Sequence, residues 1–172
     1  NGVPAEPTKP RVLGPLMCVP FGKILRGNAV PNTVSKTIHT DKVFAPDLKS
    51  FGIDAFPGYT PLESQIRVIR SFRRPVVLVD DLLHSGNRFK ALDPLFRQED
   101  LCIRQVLVGL MSSRGRDLMT AKGREADCVY FVPNLRAWFV ESTMYPFIGG
   151  DTVAGAKRSV PGLTPSVNLI LP

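Results

Sequence analysis

The chain has little with which to bind a transition metal: it contains two histidines and three cysteines, and Cys18, Cys102 and Cys128 stand far apart without CxxC spacing. Such an odd, scattered set is neither a disulfide framework nor a zinc site. Each cysteine lies in an apolar stretch, so all three are expected to be buried core thiols. Long hydrophobic runs are also missing. None approaches the ~18 to 20 residues that cross a bilayer, and no membrane partner is expected. The N-terminal stretch NGVPAEPTKP lacks the basic-then-apolar order of a secretory signal, which makes the cytoplasm the expected compartment. The chain has no repeat and no low-complexity segment. It opens on asparagine, not methionine, so a preceding N-terminal domain is an expectation.

What is present fits one soluble globular unit. The 172 residues are 44% hydrophobic and 22% charged, and a single core commonly forms at ~100 to 200 residues. The net charge of +7 suits an anionic partner. The lysines and arginines are dispersed and not gathered in one block, however, so phosphorylated small molecules and nucleic acid both stay open as partners. Proline and glycine gather at both ends, which predicts irregular arms over 1–15 and 152–172 around a domain at 16–151.

Within that domain, Leu16 to Val19 and Thr33 to His39 read as strands. Residues 40–59 show no clear period and read as a long functional or mobile loop. Thr60, Pro61 and Glu63 suggest a capping box, with Leu62, Ile66, Ile69 and Phe72 forming one helical stripe. Four apolar residues at Val76 to Val79 suggest a strand buried on both faces. Next come a helix over Asn87 to Phe96, a strand through Val106 to Met111, a helix over Asp117 to Lys122 stopped by Gly123, and a strand at Cys128 to Val132. This alternation predicts an α/β fold, a doubly wound parallel sheet with helices on both faces.

Ligands of such sheets bind at the carboxyl ends of the strands. Here that end carries Asp80 and Asp81, followed by His84, Ser85, Gly86, Asn87 and Arg88. Main-chain N–H groups at a helix start, the Ser85 hydroxyl and a glycine that permits close approach together make an anion site suited to phosphate. Two adjacent carboxylates are costly to leave without cations or hydroxyl donors, and ribose hydroxyls with Mg²⁺ nearby would satisfy them. Other uses of an acidic pair do not fit. A receiver domain needs its acids after the first strand, a haloacid-dehalogenase site needs Asp-x-Asp, and a P-loop needs Gly-x-x-x-x-Gly-Lys-Ser/Thr. Gly149-Gly150-Asp151 lacks the Glu-Phe of cyclic-dinucleotide synthases and reads as a turn.

The segment Val76 to Arg88, VVLVDDLLHSGNR, resembles the PRPP-binding motif of the type I phosphoribosyltransferases: four apolar residues, two acids, then a short phosphate loop. The resemblance implies that Asp80 and Asp81 hold the ribose 2′- and 3′-hydroxyls, with Mg²⁺ contacted indirectly. It assigns the 5-phosphate to His84, Ser85, Gly86, Asn87 and Arg88. The family usually has threonine where this chain has His84, Ser85 and Arg88. By the same resemblance, Val19-Pro20-Phe21-Gly22-Lys23 would be a pyrophosphate loop, Lys36 the lysine of the next strand, and the stretch from His39 through Lys42 the start of a mobile cover. A small hood would come from the early arm and from Asn134 to Asp151, including Trp138, Glu141, Tyr145 and Phe147. The implied reaction displaces pyrophosphate from C1 of PRPP with a nitrogen nucleophile. Lys36, Lys23 and Lys42 would neutralise the leaving group, and His39 would stabilise it or move a proton. The family also implies a homodimer. A non-catalytic module of the same fold, sensing PRPP or a nucleotide or binding nucleic acid, is the alternative, as is a domain that processes the product of a missing partner domain.

Overall fold

The computed structural model describes residues 15–22, 24–25, 33–47, 49–136 and 152–153. Its centre is a five-stranded, all-parallel sheet in the order β2-β1-β5-β6-β7. The strands are β1 (Met17–Pro20), β2 (Val34–Ser35), β5 (Val76–Leu83), β6 (Ile103–Met111) and β7 (Ala126–Phe131). The helices are α1 (Leu62–Ser71), α2 (Asn87–Gln98) and α3 (Ser113–Ala121), and between β2 and α1 lie β3 (Thr40–Phe44) and β4 (Phe51–Ala55).

The expected parallel α/β sheet is therefore present. The path from β2 to β5, which carries α1, and the crossovers through α2 and α3 all step in one direction along the sheet, and right-handed crossovers place such connections on a common face. The path from β1 to β2 steps the other way, through residues 26–32, which lie outside those described. On the helical face the core is continuous: Met17, Val19, Val76, Leu78, Val106 and Val108 of the sheet pack with Ile66 and Ile69 of α1, Phe89, Leu92 and Phe96 of α2, and Met119 of α3. Among the described residues, no helix is long and apolar enough to cross a membrane.

Several local expectations change. Residues 40–59 are not an aperiodic loop. β3 and β4 pair antiparallel from Thr40↔Ala55 to Phe44↔Phe51, and Thr152–Val153 (β8) adds a parallel partner to β3. The signal was there in Phe51-Gly52-Ile53-Asp54-Ala55, where apolar residues alternate and Ile53 and Ala55 pack on the core. Gly52 and the short length weakened it. Helix α1 forms where expected but without the capping box. Pro61 is its N-cap and no side chain caps it, while Gln65 Nε2 donates to the Thr60 carbonyl instead (2.7 Å). Helix α3 begins earlier than expected, because Ser112 caps it by accepting from the Gly115 N–H (3.1 Å). Only Cys18 of the three cysteines is buried; Cys128 is partly buried and Cys102 is exposed. Cys102 directly precedes β6, outside the alternation that buries the strand's side chains.

Candidate functional site

In this sheet order the switch point lies between β1 and β5, from which successive connections depart in opposite directions. A crevice at the carboxyl ends of these two strands is the place the topology leaves for a ligand. The acidic pair stands there, though still inside the strand. β5 continues past Val79 because its ladder with β6 runs on, through Asp80↔Val108, Leu82↔Leu110 and Leu83↔Met111. Gly109 lies where a Cβ would stand 2.8 Å from the Asp81 carbonyl oxygen, so the two strands can approach this closely only with glycine at that position.

The loop between β5 and α2 is therefore His84-Ser85-Gly86 alone. Gly86 has φ 67°, a left-handed backbone, and a Cβ there would collide with Leu118 Cδ2. No side chain caps α2, and its first helical bond runs from the Lys90 N–H to the Gly86 carbonyl (2.8 Å). The N–H groups of the first turn have no intrahelical acceptor, and the helix dipole adds partial positive charge there. Ser112 fixes the loop from β6: its hydroxyl donates to the His84 carbonyl (2.9 Å) and its N–H to that of Leu83 (3.1 Å). The His84 ring joins the Leu135 carbonyl through Nε2 (2.8 Å).

The two acids are not equivalent. Asp81 is exposed. The Asp80 side chain is only 11% exposed, and its Oδ1 accepts from Arg88 Nη1 (2.5 Å) and from the Asp81 N–H (2.9 Å). Burial pushes the Asp80 carboxyl up to about 7; the Arg88 charge opposes this and the adjoining Asp81 adds to it. The Arg88 guanidinium also lies 5.2 Å from the centre of the Phe21 ring, which joins the start of α2 to the end of β1.

The remaining expected site residues fall in three places. Lys36 follows β2 at the same sheet edge, exposed, with its N–H bonded to the Cys18 carbonyl (3.2 Å). His39 stacks on Tyr59 (3.8 Å between centroids), while its N–H and carbonyl are held by the Gln65 side chain (2.8 and 3.3 Å). The Lys42 ammonium rests over the Phe44 and Phe51 rings at 4.3 and 4.7 Å, on the hairpin. Lys23, Trp138, Glu141, Tyr145 and Phe147 lie outside the described residues. Sequence reading missed a cavity beside the loop, about 310 Å³, at the ends of β5, β6 and β7. It is lined by His84, Ser112, Arg114, Asn134 and Arg136 among others, drawn from three separate stretches that no local motif connects.

No family model matches the chain, and neither does any curated protein sequence. Three solved structures are similar in part. The AQ2163 protein from Aquifex aeolicus is 18% identical over 69% of this chain and 53% of its own, with a TM-score of 0.42. TT1426 from Thermus thermophilus is 22% identical over 70% of this chain and 76% of its own, with a TM-score of 0.41. The adenine phosphoribosyltransferase from Thermoanaerobacter pseudethanolicus is 13% identical over 68% of this chain and 70% of its own, with a TM-score of 0.36. The chain thus spans about half the length of the first of these (53%). Likeness at this level does not bear on the chemistry of the site.

Proposed function

We propose that the chain binds a ribose 5-phosphate ligand, PRPP or a nucleoside 5′-monophosphate, at the end of β5, and that it transfers the phosphoribosyl group to a nitrogen acceptor with release of pyrophosphate. The observation that carries this reading is the uncapped start of α2 behind left-handed Gly86, directly after two carboxylates at the switch point. Together with the Ser85 hydroxyl, the first-turn N–H groups suit a phosphate dianion, and charge-assisted bonds of this kind contribute about 1.5–3 kcal/mol each. Asp81 faces solvent and accepts from a ribose hydroxyl. Asp80 joins it once Arg88 moves from the carboxylate to the phosphate. The motif's resemblance to the type I phosphoribosyltransferases supports the same assignment.

In the transfer step the acceptor nitrogen's lone pair forms the bond to C1 as the bond from C1 to the pyrophosphate oxygen breaks. Positive charge develops on the ribose ring, and the Asp80 and Asp81 carboxylates are the groups proposed to stabilise it. Lys36, just past β2 on the far side of β1, His39, before the hairpin, and Lys42, within β3, are the groups proposed to meet the pyrophosphate; Lys23 has the same proposed role. The acidic pair does not suit Mg²⁺ as direct ligands in this arrangement. While Asp80 accepts from Arg88, an ion arriving with a pyrophosphate would meet the pair through water.

One observation favours a second reading, binding without turnover: Arg88 occupies Asp80. Calorimetry with PRPP, ribose 5-phosphate, AMP and GMP, followed by a pyrophosphate-release assay across nucleobases, separates the two. Binding with release supports transfer, and binding without release for any base supports a sensing module. If none of these ligands binds, the site assignment fails, and nucleic acid becomes the next ligand to test, through the salt dependence that phosphate contacts impose.

A further inference from the structure

The cavity beside the loop has a chemistry of its own. Its walls come from the carboxyl ends of three adjacent parallel strands: His84 after β5, Ser112 and Arg114 at the β6–α3 junction, and Asn134 and Arg136 after β7. Arg114 and Arg136 are both among its lining residues, and among the described residues no aspartate or glutamate lines it. Main-chain bonds build its rim. The Ser113 N–H donates to the Pro133 carbonyl (3.3 Å), the Val132 N–H to that of Met111 (2.8 Å), and the Leu135 N–H to that of Val132 (3.2 Å). These bonds hold the turn after β7 against the start of α3.

The buried polar groups of the wall are already used. The Ser112 hydroxyl both donates to the His84 carbonyl and accepts from the Gly115 N–H, and His84 Nε2 is joined to the Leu135 carbonyl. The side chains of Arg114 and Arg136, by contrast, have no hydrogen bond or ion pair among the described residues, and both residues line the same 310 Å³. Two arginines lining one cavity, with no acidic residue among its described lining, select an oxyanion, which their planar guanidinium forks can bind bidentately.

We propose that this cavity takes the carboxylate or phosphate of the second substrate, so that the acceptor in the transfer is an anionic nitrogen compound. The class of ligand follows from the two arginines alone. Its role as acceptor rests on the reading of Ser85 to Arg88 as the ribose 5-phosphate loop, which adjoins the cavity through His84.

The test is calorimetry on the full chain and on the Arg114→Gln/Arg136→Gln variant, whose two positions are exposed. The probes are orotate, uracil, inorganic phosphate and ribose 5-phosphate. Orotate and uracil differ by one carboxylate. Orotate is expected to bind at least tenfold more tightly than uracil to the native chain, to lose that advantage in the double variant and to weaken with added salt, while ribose 5-phosphate binds both proteins alike. Displacement of orotate by inorganic phosphate assigns the site to phosphate as well, and no displacement restricts it to carboxylate. Equal binding of orotate and uracil, or an orotate preference that survives the double substitution, overturns the proposal. An arginine-dependent preference in a chain that ignores ribose 5-phosphate upholds the oxyanion cavity and removes the ribose-phosphate reading.

Discussion

Asp80 is held at a thermodynamic disadvantage, and removing its charge should stabilise the protein in one pH window only. Its carboxyl titrates at about 7 against an ordinary 3.8. At 1.36 kcal/mol per pH unit, ionised Asp80 therefore disfavours the fold by at most ~4 kcal/mol relative to the unfolded chain. The sign follows from the raised folded pKa. Below ~4 both states are protonated and the full benefit of the neutral carboxyl is present; it is lost as the pH rises through 7, where the folded state must give up its proton. Asp80→Asn keeps the shape and removes the ionisation. Urea unfolding at pH 4.5 and pH 8 should show the variant near native stability at the lower pH and more stable than the native chain at the higher, by a difference on the order of 2–4 kcal/mol. The Arg88 side chain, left without its partner, is 37% exposed and can turn to water. If Asp80→Asn were destabilising by the same amount at both pH values, the carboxylate would be a structural ion-pair partner of Arg88 and the reasoning would fail. A charge kept at such expense beside an uncapped helix start is characteristic of a functional site.

Other positions give independent checks. Asp93 is 1% exposed and bonded by Arg97 (3.1 Å), Lys122 (3.3 Å) and Arg124 (3.0 Å). Burial pushes its carboxyl up, but the hydrogen bonds from Arg124, Arg97 and Lys122 outweigh this and hold it below the usual range. Asp93→Ala should cost about 3 kcal/mol in urea unfolding at pH 7, a loss that shrinks as the pH falls below ~4; a change under ~1 kcal/mol would contradict the network. Gly86→Ala, at φ 67° with Leu118 Cδ2 where the Cβ must go, should lower stability by about 1–3 kcal/mol and weaken ribose 5-phosphate binding more than tenfold; unchanged affinity would detach the loop from the ligand. Gly115→Ala forces a Cβ into the Leu83 carbonyl oxygen, and thermal unfolding should show a loss of about 2 kcal/mol or more. A thiol reagent should label exposed Cys102 rapidly and buried Cys18, whose pKa burial raises, only on unfolding. Equal rates at the two would refute the packing of β1.

The sheet was legible because its strands announce themselves by apolar runs and its helices by stripes. Val76 to Val79 is buried or nearly so, and Ile66, Ile69, Phe89, Leu92 and Phe96 all lie in the core. The turn from β5 into α2 was legible because one short contiguous segment carries it. Features that depend on distant partners were not. Sequence alone places Asp80 and Asp81 beyond the strand, but the β6 ladder extends β5 to Leu83. The β3–β4 hairpin draws its stability from packing Ile53 and Ala55 on the core and from pairing across strands, which propensity alone does not show. Helix α3 starts at Ser113 because Ser112, fixed between β5 and β6, caps it. The arginine-lined cavity arises from three strand ends, and only the fold places Arg114 beside Arg136.

Calorimetric titration of PRPP into the native chain and into Asp80→Asn/Asp81→Asn tests the central claim most directly. The account predicts stoichiometric binding to the native chain, competed by ribose 5-phosphate, and a loss of affinity of at least tenfold in the variant while its unfolding transition stays cooperative. Binding of equal strength to both proteins, or no binding of PRPP and ribose 5-phosphate to the native chain, would contradict it.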